Sequence, residues 1–131
     1  MKKTILSTAC SFGLLAVVLG AFGAHGLKNL VDAEAVATFE TGVRYQMYHA
    51  LFLLVLGLLP DTIPFKKAIY ICTVIGIVLF SFSIYMLSLN NLVDFNFKAF
   101  GFLTPIGGVF LIVGWALLGY GILRSNIGKI Q

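Results

Sequence analysis

The sequence predicts an all-α membrane protein, a single-domain bundle of four transmembrane helices with both termini on the cytoplasmic side. Three observations carry that reading. Hydrophobic residues make up 60% of the chain and charged residues only 11%, where a soluble domain has about 25% charged. The apolar residues fall in runs separated by Gly, Pro and polar breakers, and most runs approach the roughly 20 residues that cross about 30 Å of hydrocarbon. The nine Lys and Arg residues sit in short clusters flanking those runs, as membrane topology requires. A net charge of +4 is therefore a topology signal, and nucleic acid is excluded as a partner. Cys10 and Cys72 each lie inside an apolar run. With no CxxC or Cys/His spacing beside them they read as small hydrophobes, so neither metal nor cofactor is expected.

The first span is predicted over residues 4–24. Met1-Lys2-Lys3 and the apolar run after it resemble a secretory signal, but the run is long enough to cross a bilayer and reads as a retained helix. Ala9 and Gly13, then Ala16, Gly20 and Ala24, recur at four-residue spacing. Small residues so placed let a second backbone approach closely. His25-Gly26 ends the helix.

Asp32 is a plausible N-cap for the second helix, with Glu34 well placed in its first turn. Residues 33–44 are amphipathic and 45–59 form the apolar span. Glu40 stands four residues before Arg44, the favourable order for an ion pair worth a few tenths of a kcal/mol when exposed. A charge at the bilayer centre costs about 2.5–3.5 kcal/mol on insertion scales, so Arg44, Tyr45, Gln46, Tyr48 and His49 are expected to mark a membrane surface.

Pro60 to Pro64 is a tight turn by its breakers. Lys66 and Lys67 open the third span, 68–89, which contains Cys72, Gly76 and Ser83, with Tyr70 and Tyr85 near its two ends. Asn90 to Lys98 reads as a polar loop. In the last span, 100–123, either Thr104 caps a helix that begins at Pro105 or the helix starts earlier and kinks there. Gly107, Gly114 and Gly121 recur every seventh residue and form a smooth packing stripe, with Gly108 and Trp115 on the adjacent one.

Lys2, Lys3, Lys66, Lys67, Arg124 and Lys129 lie on one side of this arrangement, and Lys28, Arg44 and Lys98 on the other. Positive residues stay cytoplasmic, so both termini are predicted inside. That orientation gathers His25, Arg44, Tyr45, Gln46, Tyr48, His49, Tyr85, Ser88 and Thr104 toward the outer leaflet. Arg with Tyr and His at an interface suits a phosphate head group. The same residues equally suit an interhelical hydrogen-bond network, and His49 with Tyr45 a proton relay. Two histidines without a carboxylate in the spans make no recognisable metal site.

The segments Leu19 to Leu27, Arg44 to Leu51, and Thr104 to Gly108 with Gly114-Trp115 resemble a small bacterial membrane-protein family of unknown function, the YgdD/YwdK-like proteins, which has a eukaryotic transmembrane relative. The resemblance covers nearly all the chain. It implies four helices in the cell membrane and directs attention to His25, Arg44, Gln46, Tyr48 and His49, but it supplies no activity. It also implies Ser-Gly-Ser where this chain has Ser81-Phe82-Ser83, so that Phe82 fills space a glycine leaves open.

The function expected is that of a non-catalytic integral membrane protein that binds or organises lipid or a partner protein at the outer leaflet, since no nucleophile, acid/base pair or cofactor motif is present. A small transporter or channel subunit, and a lipid- or quinone-linked enzyme using His49 as base, are the alternatives. A homo-oligomer is expected, because the small-residue stripes exceed what one four-helix core uses.

Overall fold

The computed structural model describes residues 1–125, so Lys129 of the charge count lies outside the described residues. Helix α1 is Lys2–His25 and α2 is Ala33–Leu58. Helix α3, Lys66–Ile77, runs through a π-helical turn, Val78–Phe82, into α4, Ser83–Ser88; α5 is Leu103–Arg124. There is no strand among the described residues. Three segments are long and apolar enough to cross a membrane: Lys2–Asn29, Lys66–Ser88 and Phe97–Arg124. Helix α2 differs from them in composition and not in length. Its 26 residues reach about 39 Å at 1.5 Å per residue, but Arg44, Gln46 and His49 interrupt its apolar sequence.

The helices begin and end for local reasons. The Asp32 carboxylate accepts the Ala35 N–H at 2.8 Å, as an N-cap should. In α5, which begins before Pro105 at Leu103, the proline falls in the first turn, where backbone N–H groups have no intrahelical acceptor, so its missing N–H breaks no helical hydrogen bond. The loop before it departs from expectation. It is built of 3₁₀ turns, Asn90–Leu92 and Phe97–Phe100, and Phe95 packs against both Phe97 and Phe100, so an aromatic cluster stands among its polar residues. Between α2 and α3, buried Lys66 donates to the Leu59 carbonyl at 2.6 Å and to Asp61 at 2.9 Å. That hydrogen bond and the Lys66 charge hold the Asp61 carboxyl below its usual range.

Helix α1 packs antiparallel on α2 along its length. Leu6 meets Gly57, Gly13 faces Ala50, Gly20 faces Val43 and Gly23 faces Phe39. The seam on α1 therefore runs Ala9, Gly13, Ala16, Gly20, Gly23, with Ala9, Ala16 and Gly23 buried. Ala24, expected in that seam, is exposed and Gly23 takes its place. The reason is helical pitch. At 3.6 residues per turn, repeated four-residue steps drift around the helix, and a three-residue step from Gly20 to Gly23 restores the line.

Helix α5 packs on α3 and the π turn through its glycine stripe. Gly107 meets the backbone of Leu79 and Phe80, Gly114 the Thr73 hydroxyl, and Gly121 the Pro64 carbonyl. These glycines are spent within one chain, so they no longer argue for a second copy. Ile5, Leu53, Leu56, Ile69 and Ile77 are fully buried between the helices, joined by Leu111 and Leu118.

This register moves the polar segment of α2. Gly13 lies halfway along α1 and faces Ala50, which puts His49 at mid-depth of the helix pair and not at its outer end. Residues 33–44 were expected above the span, yet Phe39 and Val43 already lie against α1 and so belong to the bundle.

A methyl group at Gly107 runs into backbone that has no room to move, whereas at Gly119 nothing lies within 4 Å. Gly107→Ala should therefore lose about 1–3 kcal/mol of stability through overpacking. Gly119→Ala should leave stability unchanged or raise it by up to about 1 kcal/mol, both read by thermal unfolding in detergent.

Candidate functional site

The polar residues of α2 divide by helical position. Gly42, Gln46 and His49 point into the bundle and are buried, while Arg44, Tyr45 and Tyr48 are exposed. At 100° per residue, neighbours in sequence occupy different faces. The one convergent cluster expected from the sequence therefore separates into three groups.

The first is a buried network. Gln46, with no exposed surface, donates from Nε2 to the Phe12 carbonyl of α1 at 2.9 Å and accepts at Oε1 from the Tyr85 hydroxyl of α4 at 2.8 Å. One turn away, Ser81 in the π turn donates to the Gly42 carbonyl at 2.8 Å. Glycine at 42 is required here, since a Cβ would stand 2.6 Å from the Tyr85 ring. Phe82, where the resemblance implies glycine, packs edge-on to Tyr85 at 5.6 Å. Among the described residues no buried side-chain polar atom lacks a partner. The network joins three helices, and each of its buried polar side-chain atoms has a partner within it.

The second group surrounds His49. Trp115 Nε1 of α5 donates to His49 Nε2 at 3.2 Å, and His49 Nδ1 lies 2.7 Å from the Tyr45 carbonyl. An indole N–H only donates, so Nε2 is the acceptor, and the partners assign the ring proton to Nδ1, which bonds the carbonyl. Both ring nitrogens are occupied. His49 has no lone pair free to act as a base or a metal ligand. Its neighbours Tyr45, Phe80, Gly108, Leu111, Ile112 and Trp115 line a lateral groove of about 440 Å³ between α2 and α5. Phe80, from the π turn, forms its floor against Tyr45 at 4.9 Å, and Phe52 backs Trp115 at 4.5 Å. Apart from the satisfied histidine–indole pair and the hydroxyl of Tyr45, the walls are hydrocarbon and aromatic ring.

The third is a single link, Ser83 Oγ to Thr104 Oγ1 at 2.7 Å, which ties α4 to the start of α5. The remaining candidates stand apart. His25 is exposed and its Nδ1 approaches only the Ala21 carbonyl of its own helix, at 3.1 Å. Ser88 bonds its own turn. Arg44 and Tyr48 make no hydrogen bond, and the pair expected between Glu40 and Arg44 is not formed; among the described residues the ion pair is Lys66–Asp61.

Sequence reasoning did not connect Trp115 to His49. A signal was present. Tryptophan favours the membrane interface, and Trp115 stands near the middle of an apolar span, where its N–H needs an acceptor from another helix.

Residues 19–108 match the model of a family described as a protein of unknown function, DUF423, a stretch that holds His25, Arg44, Gln46, His49, Tyr85 and Thr104 and stops short of Leu111, Ile112 and Trp115. The chain is 40% identical over 125 residues to the UPF0382 membrane protein SSP2132 of Staphylococcus saprophyticus, covering 95% of this chain and 99% of that one. It is 36% identical over 130 residues to a UPF0382 membrane protein of Haemophilus influenzae, covering 96% and 98%. The UPF0382 inner membrane protein YgdD of Escherichia coli is 35% identical over 127 residues, covering 94% and 92%. No solved structure matches the chain.

Trp115→Phe keeps the ring and removes the donor, leaving His49 Nε2 unpaired. The expected cost is about 1–3 kcal/mol, and His49→Phe combined with Trp115→Phe should recover much of it. Unfolding midpoints of the two single variants and the double variant check this.

Proposed function

We propose, from the premise that this chain belongs to the DUF423 family of membrane proteins of unknown function, that it is a non-catalytic cell-membrane protein which holds the hydrocarbon chain of a membrane lipid in the groove between α2 and α5. The observation that carries the reading is the groove's chemistry. Its volume of about 440 Å³ falls within the range of ligand pockets, its histidine–indole pair is satisfied internally, and the Tyr45 hydroxyl is the other polar group on an otherwise apolar lining. It therefore asks a ligand mainly for apolar contact and offers no free nitrogen on His49 for reaction. This favours lipid over the enzymatic alternative, which needs an unoccupied nitrogen on His49. It also favours lipid over a conducting path, which needs a succession of unpaired polar atoms along its walls, where this lining offers the single hydroxyl of Tyr45.

The same reading takes α2 as a fourth span, with both termini cytoplasmic, in one domain. Helix α2 lies beside α1 throughout, and its interior polar groups are satisfied within the bundle, as a span requires. Lys2, Lys3, Lys66, Lys67 and Arg124 fall at one end of the helices, against Lys28 and Lys98 at the other. This asymmetry supports the orientation. A reporter active only in the cytoplasm should function when fused at the C-terminus and fail when fused after Asn29; the reverse pattern would overturn the orientation.

Gly108 faces the groove beside Phe80, whose ring lies 3.8 Å from a Cβ placed there. Native mass spectrometry from mild detergent should show retained lipid on the wild-type protein and on a Leu123→Phe control at an outward position. Gly108→Leu, which fills the groove, should lose it. Wild-type protein that carries no lipid would sink the reading.

A further inference from the structure

The outward faces of the helices are not alike. On α1, Leu14, Val17 and Val18 are exposed, and on α5, Val109, Ile112 and Leu123. These aliphatic surfaces suit hydrocarbon. The outward face of α2 carries Thr41, Arg44, Tyr48, Leu51, Val55 and Leu58, with exposed Glu40 at its edge. The spacing alternates three and four residues, which is the seam of two helices packed side by side with a slight left-handed crossing.

Depth makes the charges costly. Val43 lies level with Gly20 and Phe39 with Gly23, so Arg44 and Glu40 stand between the middle of α1 and its end at His25. A charge facing lipid there is unfavourable unless it is paired. Neither residue has an ion-pair partner among the described residues.

We infer that the outward face of α2 is a self-association interface, in which a second copy of this chain packs parallel across a two-fold axis and Arg44 of each copy pairs with Glu40 of the other. Two copies inserted in one membrane share an orientation, so the contact is parallel. Two-fold symmetry then sets the same face against itself and makes the pair twice. The direction is favourable. Glu40 lies one turn toward the helix N-terminus from Arg44, and a helical Cα–Cβ bond leans that way. Charge complementarity selects a second copy over lipid as the occupant, because a lipid tail answers neither charge. The apolar half, Leu51, Val55 and Leu58, supplies the close packing below. This interface is separate from the lipid groove and stands whether or not the groove is occupied.

Single-cysteine variants Leu51→Cys and Val55→Cys, built in a Cys10→Ala, Cys72→Ala background, should form disulfide-linked dimers when membranes are oxidised. Leu14→Cys and Val109→Cys, on the outward faces of α1 and α5, should not. Glu40→Arg or Arg44→Glu alone should weaken the dimer by roughly a hundredfold in detergent titrations, the scale set by like charges placed together. The combined reversal should restore it. Cross-linking confined to positions 14 or 109, no cross-linking at 51 and 55, or failure of the double reversal to rescue would overturn the proposal. Where a single reversal fails to insert, the cross-links made with native charges still decide.

Discussion

In hydrocarbon, no water is at hand to satisfy a polar group, so every donor and acceptor must find its partner inside the protein. The architecture follows from this constraint through α2, which carries a buried glutamine and a buried histidine beside apolar α1. Each is answered by a different helix. Gln46 reaches the α1 backbone and the Tyr85 hydroxyl of α4, and His49 takes the indole of α5. Polar atoms that are expensive when alone thus become the cross-braces that hold α2 among its neighbours.

Those braces work only because the backbones come close. Gly42 admits the Tyr85 ring, Gly107 admits the backbone at Phe80, and Gly114 admits Thr73. Without a hydrophobic incentive between helices in lipid, close contact and hydrogen bonds supply the association. The π turn at Val78–Phe82 is where both meet. It presents Ser81 to the Gly42 carbonyl and Phe80 to the groove floor, consistent with the functional placement such turns often have.

The consequence for chemistry is restrictive. The residues that look reactive in the sequence are the ones the fold has used up, since the tautomer of His49 is fixed from both sides. Surfaces left over are of two kinds: a largely apolar aromatic groove whose histidine–indole pair is already satisfied, and an outward α2 face with two charges and no ion-pair partner among the described residues. The recognition of hydrocarbon proposed for the one and of a like chain proposed for the other both rest on what each surface lacks.

The sequence by itself determined that the chain is helical and membrane-bound, where its breakers fall, and that Gly107, Gly114 and Gly121 form a seam, because composition and periodicity are local properties that survive without coordinates. The N-cap at Asp32 and the turn at Pro60 were legible for the same reason. Only the tertiary structure decided which polar side chains meet. That depends on the rotation and register of α2 against α1, and a shift of one residue turns a side chain by 100°. Register placed His49 at mid-depth, sent Arg44 and Tyr48 outward, left His25 alone, exchanged Ala24 for Gly23 in the seam, and brought in Trp115 from a helix 66 residues away in sequence. Pairings over such a distance are set by how helices pack, and no local pattern of residues encodes them.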